Sequence, residues 1–181
     1  MARRLGWLWL SWLIGLLVYY SCKPRLPELE SIEKKRQQLA RVQKNEGPTS
    51  TNFLEAAFQL AREEENFARK YPNHPQTPAF LLEAAQLYAN YLGDPHKAVA
   101  FLEAIDQRFR HQSPLAPQAL FFQAFLYENQ LNDTARARET YERFLSYYPN
   151  HRLAEQARQA IRLLGKSPEE VIQEFLQKQP Q

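Results

Sequence analysis

The sequence predicts an all-α fold, a solenoid of antiparallel helix pairs stacked one after another. An internal repeat is the first observation behind this. The stretch from Pro117 to His151 aligns with one 39 residues upstream, so that Leu82 answers Phe121, Ala85 answers Ala124, Tyr88 answers Tyr127 and Asn90 answers Asn129. The match continues through Leu92 and Leu131, Asp94 and Asp133, Ala98 and Ala137, Leu102 and Tyr141, and Ile105 and Phe144. The second observation is a recurring close: Tyr71-Pro72-Asn73-His74 returns as Tyr148-Pro149-Asn150-His151, with Phe109 nearly midway. The third is punctuation. The 181 residues include 5 glycines and 12 prolines, the prolines fall mostly between segments of helical periodicity, and no strand-like alternation occurs. Self-similarity at a helical-hairpin period marks units that bury their apolar faces against neighbouring copies.

Each element follows from local pattern. Glu28 to Val42 carries a narrow stripe of Leu29, Ile32, Leu39 and Val42 on a charged segment that breaks at Asn45-Glu46-Gly47-Pro48. Thr51 is the expected cap of a long helix to about Tyr71, whose broad face is Phe53, Leu54, Ala57, Phe58, Leu60, Ala61, Phe67 and Ala68. Pro72, Pro75 and Pro78 then end one helix and start another, from about Ala79 to Tyr91, with Leu81, Leu82, Ala84, Ala85 and Tyr88 inward. Asp94 with Pro95 behind it is an N-cap followed by a first-turn proline. The helix it opens runs to Phe109 and presents Ala98, Phe101, Leu102, Ile105 and Phe109. Ser113-Pro114 starts the next, carrying Leu120, Phe121, Ala124, Phe125 and Tyr127. Asn132 or Asp133 caps its partner, with Ala137, Tyr141, Phe144, Leu145 and Tyr148 inward. A helix from about Arg152 to Leu164 buries Leu153, Ala157, Ala160, Ile161 and Leu164 and stops at Gly165. Ser167-Pro168-Glu169-Glu170 reads as a capping box opening a short last helix with Val171, Ile172, Phe175 and Leu176, expected to cover the end of the stack.

The N-terminus is an address. Arg3 and Arg4 precede an apolar run from Leu5 to Tyr20, and the segment ends at Ser21, directly before Cys22, the one cysteine of the chain. Charged start, apolar middle and small final residue are the layout of a secretory signal. Cys22 is followed by the polar, proline-containing "KPRLPELE". The arrangement resembles a bacterial lipoprotein signal, which implies lipidation of Cys22 and attachment at a membrane surface. Tyr19 and Tyr20 depart from the aliphatic and small residues usual before the cysteine in that family. An uncleaved membrane anchor and plain secretion therefore stay open beside it. With either form of anchor, the arginines keep the start of the chain inside and the body beyond the inner membrane. The resulting division is a signal over 1–21, an anchor linker and N-terminal helix over 22–50, helical repeats over 51–164, and a capping helix and tail over 165–181.

The small and aromatic positions carry a second resemblance. Ala85 and Ala124 match the first small position of a tetratricopeptide repeat, Tyr88 and Tyr127 the aromatic three residues on, and Ala98 and Ala137 the small residue opening the second helix. Leu102 and Tyr141 follow, and Pro149 matches the closing proline. The period of 39 departs from the usual length of about 34, and His111-Gln112 lacks the proline. Over about 51–164 the chain resembles tetratricopeptide-like envelope lipoproteins, of the outer-membrane assembly factor and Tol-Pal coordinator types. That resemblance implies a protein adaptor, facing the periplasm from the outer membrane through lipid on Cys22, or from the inner membrane through an uncleaved helix. It also implies that the first helix of each pair lines a concave, partner-binding face. The candidate residues there are Gln86 and Asn90 from one repeat, with Leu82 and Ala89 beside them, and Phe121, Phe125, Glu128 and Asn129 from the next. Paired asparagines suit the backbone of an extended or helical peptide, and phenylalanines suit apolar anchoring. Packing of Phe121 and Phe125 against the neighbouring pair is the competing reading.

Signatures of chemistry are missing. The sequence holds no nucleophile elbow, P-loop or dinucleotide fingerprint. No thiol beyond Cys22 is available for catalysis or zinc. His74, His111 and His151 fall near successive corners, one helix-pair layer apart and too far to share a metal, and read as corner polar residues. Glu63-Glu64-Glu65 reads as a solvated face, and Arg152, Arg158, Arg162 and Lys166 as the outer side of a helix. The 23 basic residues include Arg3 and Arg4, so the remainder nearly balances the 20 acidic ones, which removes the electrostatic reason for nucleic-acid binding. The expectation is a non-enzymatic adaptor without metal or cofactor, its rival from another class being an accessory subunit of an envelope enzyme.

Overall fold

The computed structural model describes residues 26–167, 169–170 and 172–173. The expected signal over 1–21, the linker start and Cys22 lie outside these residues. So do Pro168, Val171, Phe175 and Leu176 of the expected last helix. Seven helices are defined among the described residues: α1 Pro27–Glu46, α2 Thr51–Lys70, α3 Thr77–Asn90, α4 Pro95–Phe109, α5 Ala116–Asn129, α6 Thr134–Tyr147 and α7 Ala154–Leu163. Each packs on the next in sequence, and α3 also touches α5. The result is an all-α, tetratricopeptide-like stack of helix pairs.

Two kinds of junction alternate along it. The second helix of each pair opens on a side-chain cap. Ser50 Oγ accepts from Phe53 N–H at 3.1 Å, Asp94 Oδ1 from Lys97 N–H at 2.9 Å, and Asp133 Oδ1 from Arg136 N–H at 2.9 Å. Ser50 thus takes the role expected of Thr51. Asp133 is the cap, and Asn132 precedes it at φ 52°, the left-handed conformation asparagine tolerates. Ser167 and Glu170 bond reciprocally, Ser167 N–H to the carboxylate at 2.7 Å and Glu170 N–H to the hydroxyl at 3.2 Å, which is the expected capping box.

The junctions between pairs are built differently. At the two Tyr-Pro-Asn-His corners, the His74 N–H donates to Tyr71 O and Thr77 N–H to His74 O, and the same bonds join His151 to Tyr148 and Ala154 to His151. His74 Nδ1 accepts from Gln76 N–H at 3.2 Å and His151 Nδ1 from Leu153 N–H at 3.3 Å. Each imidazole stands edge-on to a core phenylalanine, Phe67 at 5.1 Å and Phe144 at 5.8 Å. In the middle corner this place belongs to Ser113, whose Oγ accepts from Leu115 N–H at 3.2 Å, and His111 is exposed. The corners are therefore 39 and then 38 residues apart. In that register α7 is the first helix of a further pair, equivalent to α3 and α5.

The small residues do what close helix packing requires. Ala84, Ala85, Ala98, Ala119, Ala124 and Ala137 are fully buried, and Leu102, Ile105, Leu120, Tyr141 and Phe144 fill the space around them. One core runs from Ile32 of α1 through α5, and a second joins Leu120 and Ala124 to Tyr141, Phe144, Ala154 and Ala157. Phe58 departs from the expected inward face. It is 37 % exposed, with the Arg62 guanidinium 5.7 Å from its ring.

The acidic run in α2 is the larger correction. Glu63 and Glu65 are partly exposed, but Glu64 is completely buried. Arg36 of α1 reaches it, Nη2 to Glu64 Oε1 at 3.2 Å, while the same guanidinium holds Glu83 of α3 through both Nε, at 3.0 Å, and Nη2. Burial, then its bond with Glu83, pushes the Glu64 carboxyl up to about 10. Glu83 feels burial too, but Arg36 outweighs it and holds this second carboxyl below the usual range. One proton and one guanidinium thus neutralise two acids where α1, α2 and α3 meet.

Candidate protein-binding face

The first helices α3 and α5 carry all six sequence-predicted contact residues within the fold. Phe125 is 41 % exposed. Its ring stacks on Phe122, 6.4 Å centroid to centroid at an interplanar angle of 25°, and Phe122 rests against the main core. In the 39-residue register Phe122 answers Glu83 and Phe125 answers Gln86, which is partly exposed on α3. Both positions lie on first helices, and α3 and α5 touch each other. Asn90 and Asn129 are exposed at the ends of these helices, and Asn129 Nδ2 donates to the Phe125 backbone carbonyl at 3.0 Å.

Phe121 and Glu128 point elsewhere. Phe121 packs edge-on against Tyr141 at 5.5 Å and Phe144 at 5.7 Å, holding α5 to α6. Glu128 Oε2 accepts the Tyr141 hydroxyl at 2.8 Å, and burial with this carboxylate raises the phenol well above its ordinary value. Leu82 and Ala89 are buried as well. The structure therefore brings Gln86, Asn90, Phe125 and Asn129 to the surface and turns Phe121 and Glu128 to joining the pair. Sequence reasoning missed Phe122. Its signal was present: it lies three residues before Phe125, so the two share a helix face.

The arrangement suits recognition. An exposed aromatic ring preordered by stacking loses little side-chain entropy on contact, and the flanking amides offer both donors and acceptors. Among the described residues no group of three or more His, Cys, Asp or Glu is placed to hold a metal ion. No helix among them is long and apolar enough to cross a membrane.

This all-α stack, with a stacked aromatic pair on α5, defines a helical-repeat protein. A tetratricopeptide repeat model matches residues 118–151, which takes in α5, α6 and the second Tyr-Pro-Asn-His corner. No curated protein and no solved structure matches the chain. The chain is accordingly similar to tetratricopeptide proteins, which generally mediate protein–protein interaction.

Proposed function

We propose that this protein is a membrane-anchored, periplasm-facing adaptor that holds a protein partner on the face formed by α3 and α5, in assembling or organising the cell envelope. The observation that carries the binding part is the exposed Phe125, stacked on Phe122 and flanked by Gln86, Asn90 and Asn129. The contact between first helices α3 and α5 supports reading them as one face able to take an extended segment. The partner is read as a chain presenting an apolar side chain to Phe125 and backbone amides to the asparagines. Residues of this kind bind and orient; they carry no reaction, and the protein is read as a non-enzyme.

The anchoring part rests on the sequence of residues 1–22: two arginines, an apolar run, Ser21 and then Cys22. A lipidated Cys22 followed by a short polar linker keeps α1 near the membrane, and stable attachment requires more than one acyl chain. The outer membrane is the favoured site, and the inner membrane with an uncleaved segment is the second reading, since Tyr19 and Tyr20 depart from the lipoprotein pattern. Mass spectrometry of the mature N-terminus separates them: a lipidated Cys22 is expected, and an intact Met1 overturns it. For binding, a photo-crosslinker at Gln86 should capture a defined partner that one at exposed Glu142 of α6 does not. The double substitution Phe125→Ala with Asn90→Ala should abolish that capture with the fold intact. Unchanged capture by the double variant overturns the assignment of this face.

A further inference from the structure

α7 is polar where the preceding first helix is apolar. Leu120 and Ala124 of α5 are buried in one cluster with Tyr141 and Phe144 of α6. The same positions of α7, 38 residues on, are Arg158 and Arg162, both exposed. α7 therefore offers no apolar seat to a second helix of its own pair. The chain nevertheless continues with Val171, Ile172, Phe175 and Leu176, spaced as one stripe of a helix opened by the Ser167 and Glu170 capping box. Ile172 is the member of that stripe among the described residues, and it is 57 % exposed.

An apolar seat lies on another side of α7. Ala154 and Ala157, early in this helix, belong to the cluster of Tyr141 and Phe144, but Leu164 at its end is buried in the main core with Leu126 and Tyr127 of α5. α7 thus runs back toward the first helices. In the register of the corners Leu163 answers Phe125, and Ser167 answers Asn129. Leu163 is half-buried, and Phe125, at 41 %, is after Ile172 the most exposed large apolar side chain among the described residues. Between them Gly165 turns the chain at φ 80°, with nothing within 4 Å of where a Cβ would stand. A helix rising about 1.5 Å per residue spans about 12 Å from Ser167 to Phe175. Packed helices lie about 8–10 Å apart, so the stripe reaches from α7 to α5 without a linker. Charge favours the same path, since Glu169, Glu170 and Glu174 make the segment acidic while Arg162 and Lys166 stand beside Leu163.

We propose that the segment after Ser167 is an internal ligand of the Phe125 face: its apolar stripe folds back over Leu163 and Phe125, and a partner must displace it. This deepens the reading of that face as a docking surface and rests on it. The segment covers the two most exposed apolar side chains with each other, which the polar outer side of α7 cannot do. An occupant tethered beside its seat acts at a high effective concentration. Closed about nine-tenths of the time, it lowers the apparent affinity for a partner about tenfold.

The test places a photo-crosslinker at exposed Asn129 in the purified full chain, with no partner present. A product of monomer mass that joins position 129 to residues 171–176 is expected, identified by mass spectrometry of its peptides. Phe175→Ser with Leu176→Ser should abolish that product and raise partner capture by the crosslinker at Gln86 about tenfold. Absence of the product, a product of dimer mass, survival of the product in the double variant, or unchanged capture overturns the proposal. Failure of the adaptor reading is separate: capture would then be indifferent to Phe125→Ala with Asn90→Ala, while the internal product still forms.

Discussion

Arg36 and Glu83, 47 residues apart, are joined by a two-pronged ion pair that ties α1 to α3 over the buried Glu64. Ile32 is the one fully buried residue of α1, and Leu29, Leu39 and Val42 pack half-buried against the core. Arg36→Ala should therefore release this helix before the rest of the stack. Removing one partner of a fully buried pair costs roughly 3–5 kcal/mol. Arg36 keeps 36 % of its side chain exposed, and that reduces the expected loss to about 2 kcal/mol. Hydrogen exchange should show early loss of protection in α1 with α5 and α6 unchanged; uniform loss across all helices would contradict the local role.

Glu64 makes stability depend on pH in the direction opposite to an ordinary ion-paired acid. Its folded value, about 10, lies above the unfolded value near 4.5, so the folded state holds the extra proton. This group's contribution is greatest below the unfolded value and falls as pH rises from there toward 10. At pH 7 the loss amounts to about 3 kcal/mol. Glu64→Gln supplies a permanently neutral side chain of the same shape. In urea titrations it should match the parent at pH 4 and gain on it steadily with rising pH. A constant difference across that range would rule out the shared proton.

The two phenylalanines that sequence alone left equivalent should separate in a stability assay. Phe121→Ala removes edge contacts with Tyr141 and Phe144 and should cost about 2–3 kcal/mol. Phe125→Ala removes an exposed ring and should stay within about 0.5 kcal/mol of the parent in thermal or urea unfolding. Its loss should register in partner capture instead.

The corner histidines give a matched pair. His74→Ala and His151→Ala each remove an acceptor for a backbone N–H two residues on and an edge contact to a core phenylalanine, at Phe67 and Phe144. Each should cost about 1 kcal/mol, measured by urea unfolding, whereas exposed His111→Ala should cost almost nothing. A loss at His111 equal to that at His74 would contradict the role of Ser113 in the middle corner.

Helix pairs were legible in the residues because the repeat repeats its packing as well as its letters. Ala85 with Tyr88 and Ala124 with Tyr127 recur since two helices can approach closely at a small residue with a large one beside it. Capping was legible to within one residue, and Ser50 in place of Thr51 is the margin expected when adjacent hydroxyls compete for one role. Glu64 was not legible. A triple-glutamate run looks solvated until Arg36, 28 residues earlier, is brought beside it, and no local pattern announces that encounter. Phe121 and Phe125 failed to separate for a related reason. They lie four residues apart on one helix, and the side of it that meets a neighbour is set by the crossing of α5 and α6. Of the residues read onto the candidate face, Gln86, Asn90, Phe125 and Asn129 stand at the surface, while Phe122 needed the register between repeats to be noticed.

Packing that links each helix to the next in sequence has a mechanical consequence. Contacts between neighbours in sequence close short loops, so the stack belongs with topologies that assemble rapidly. It also means that tension along the chain meets the joints one at a time, in series. Pulled from its N-terminus, such a stack would pay out length helix by helix, with the Arg36 clasp the first joint to carry the load.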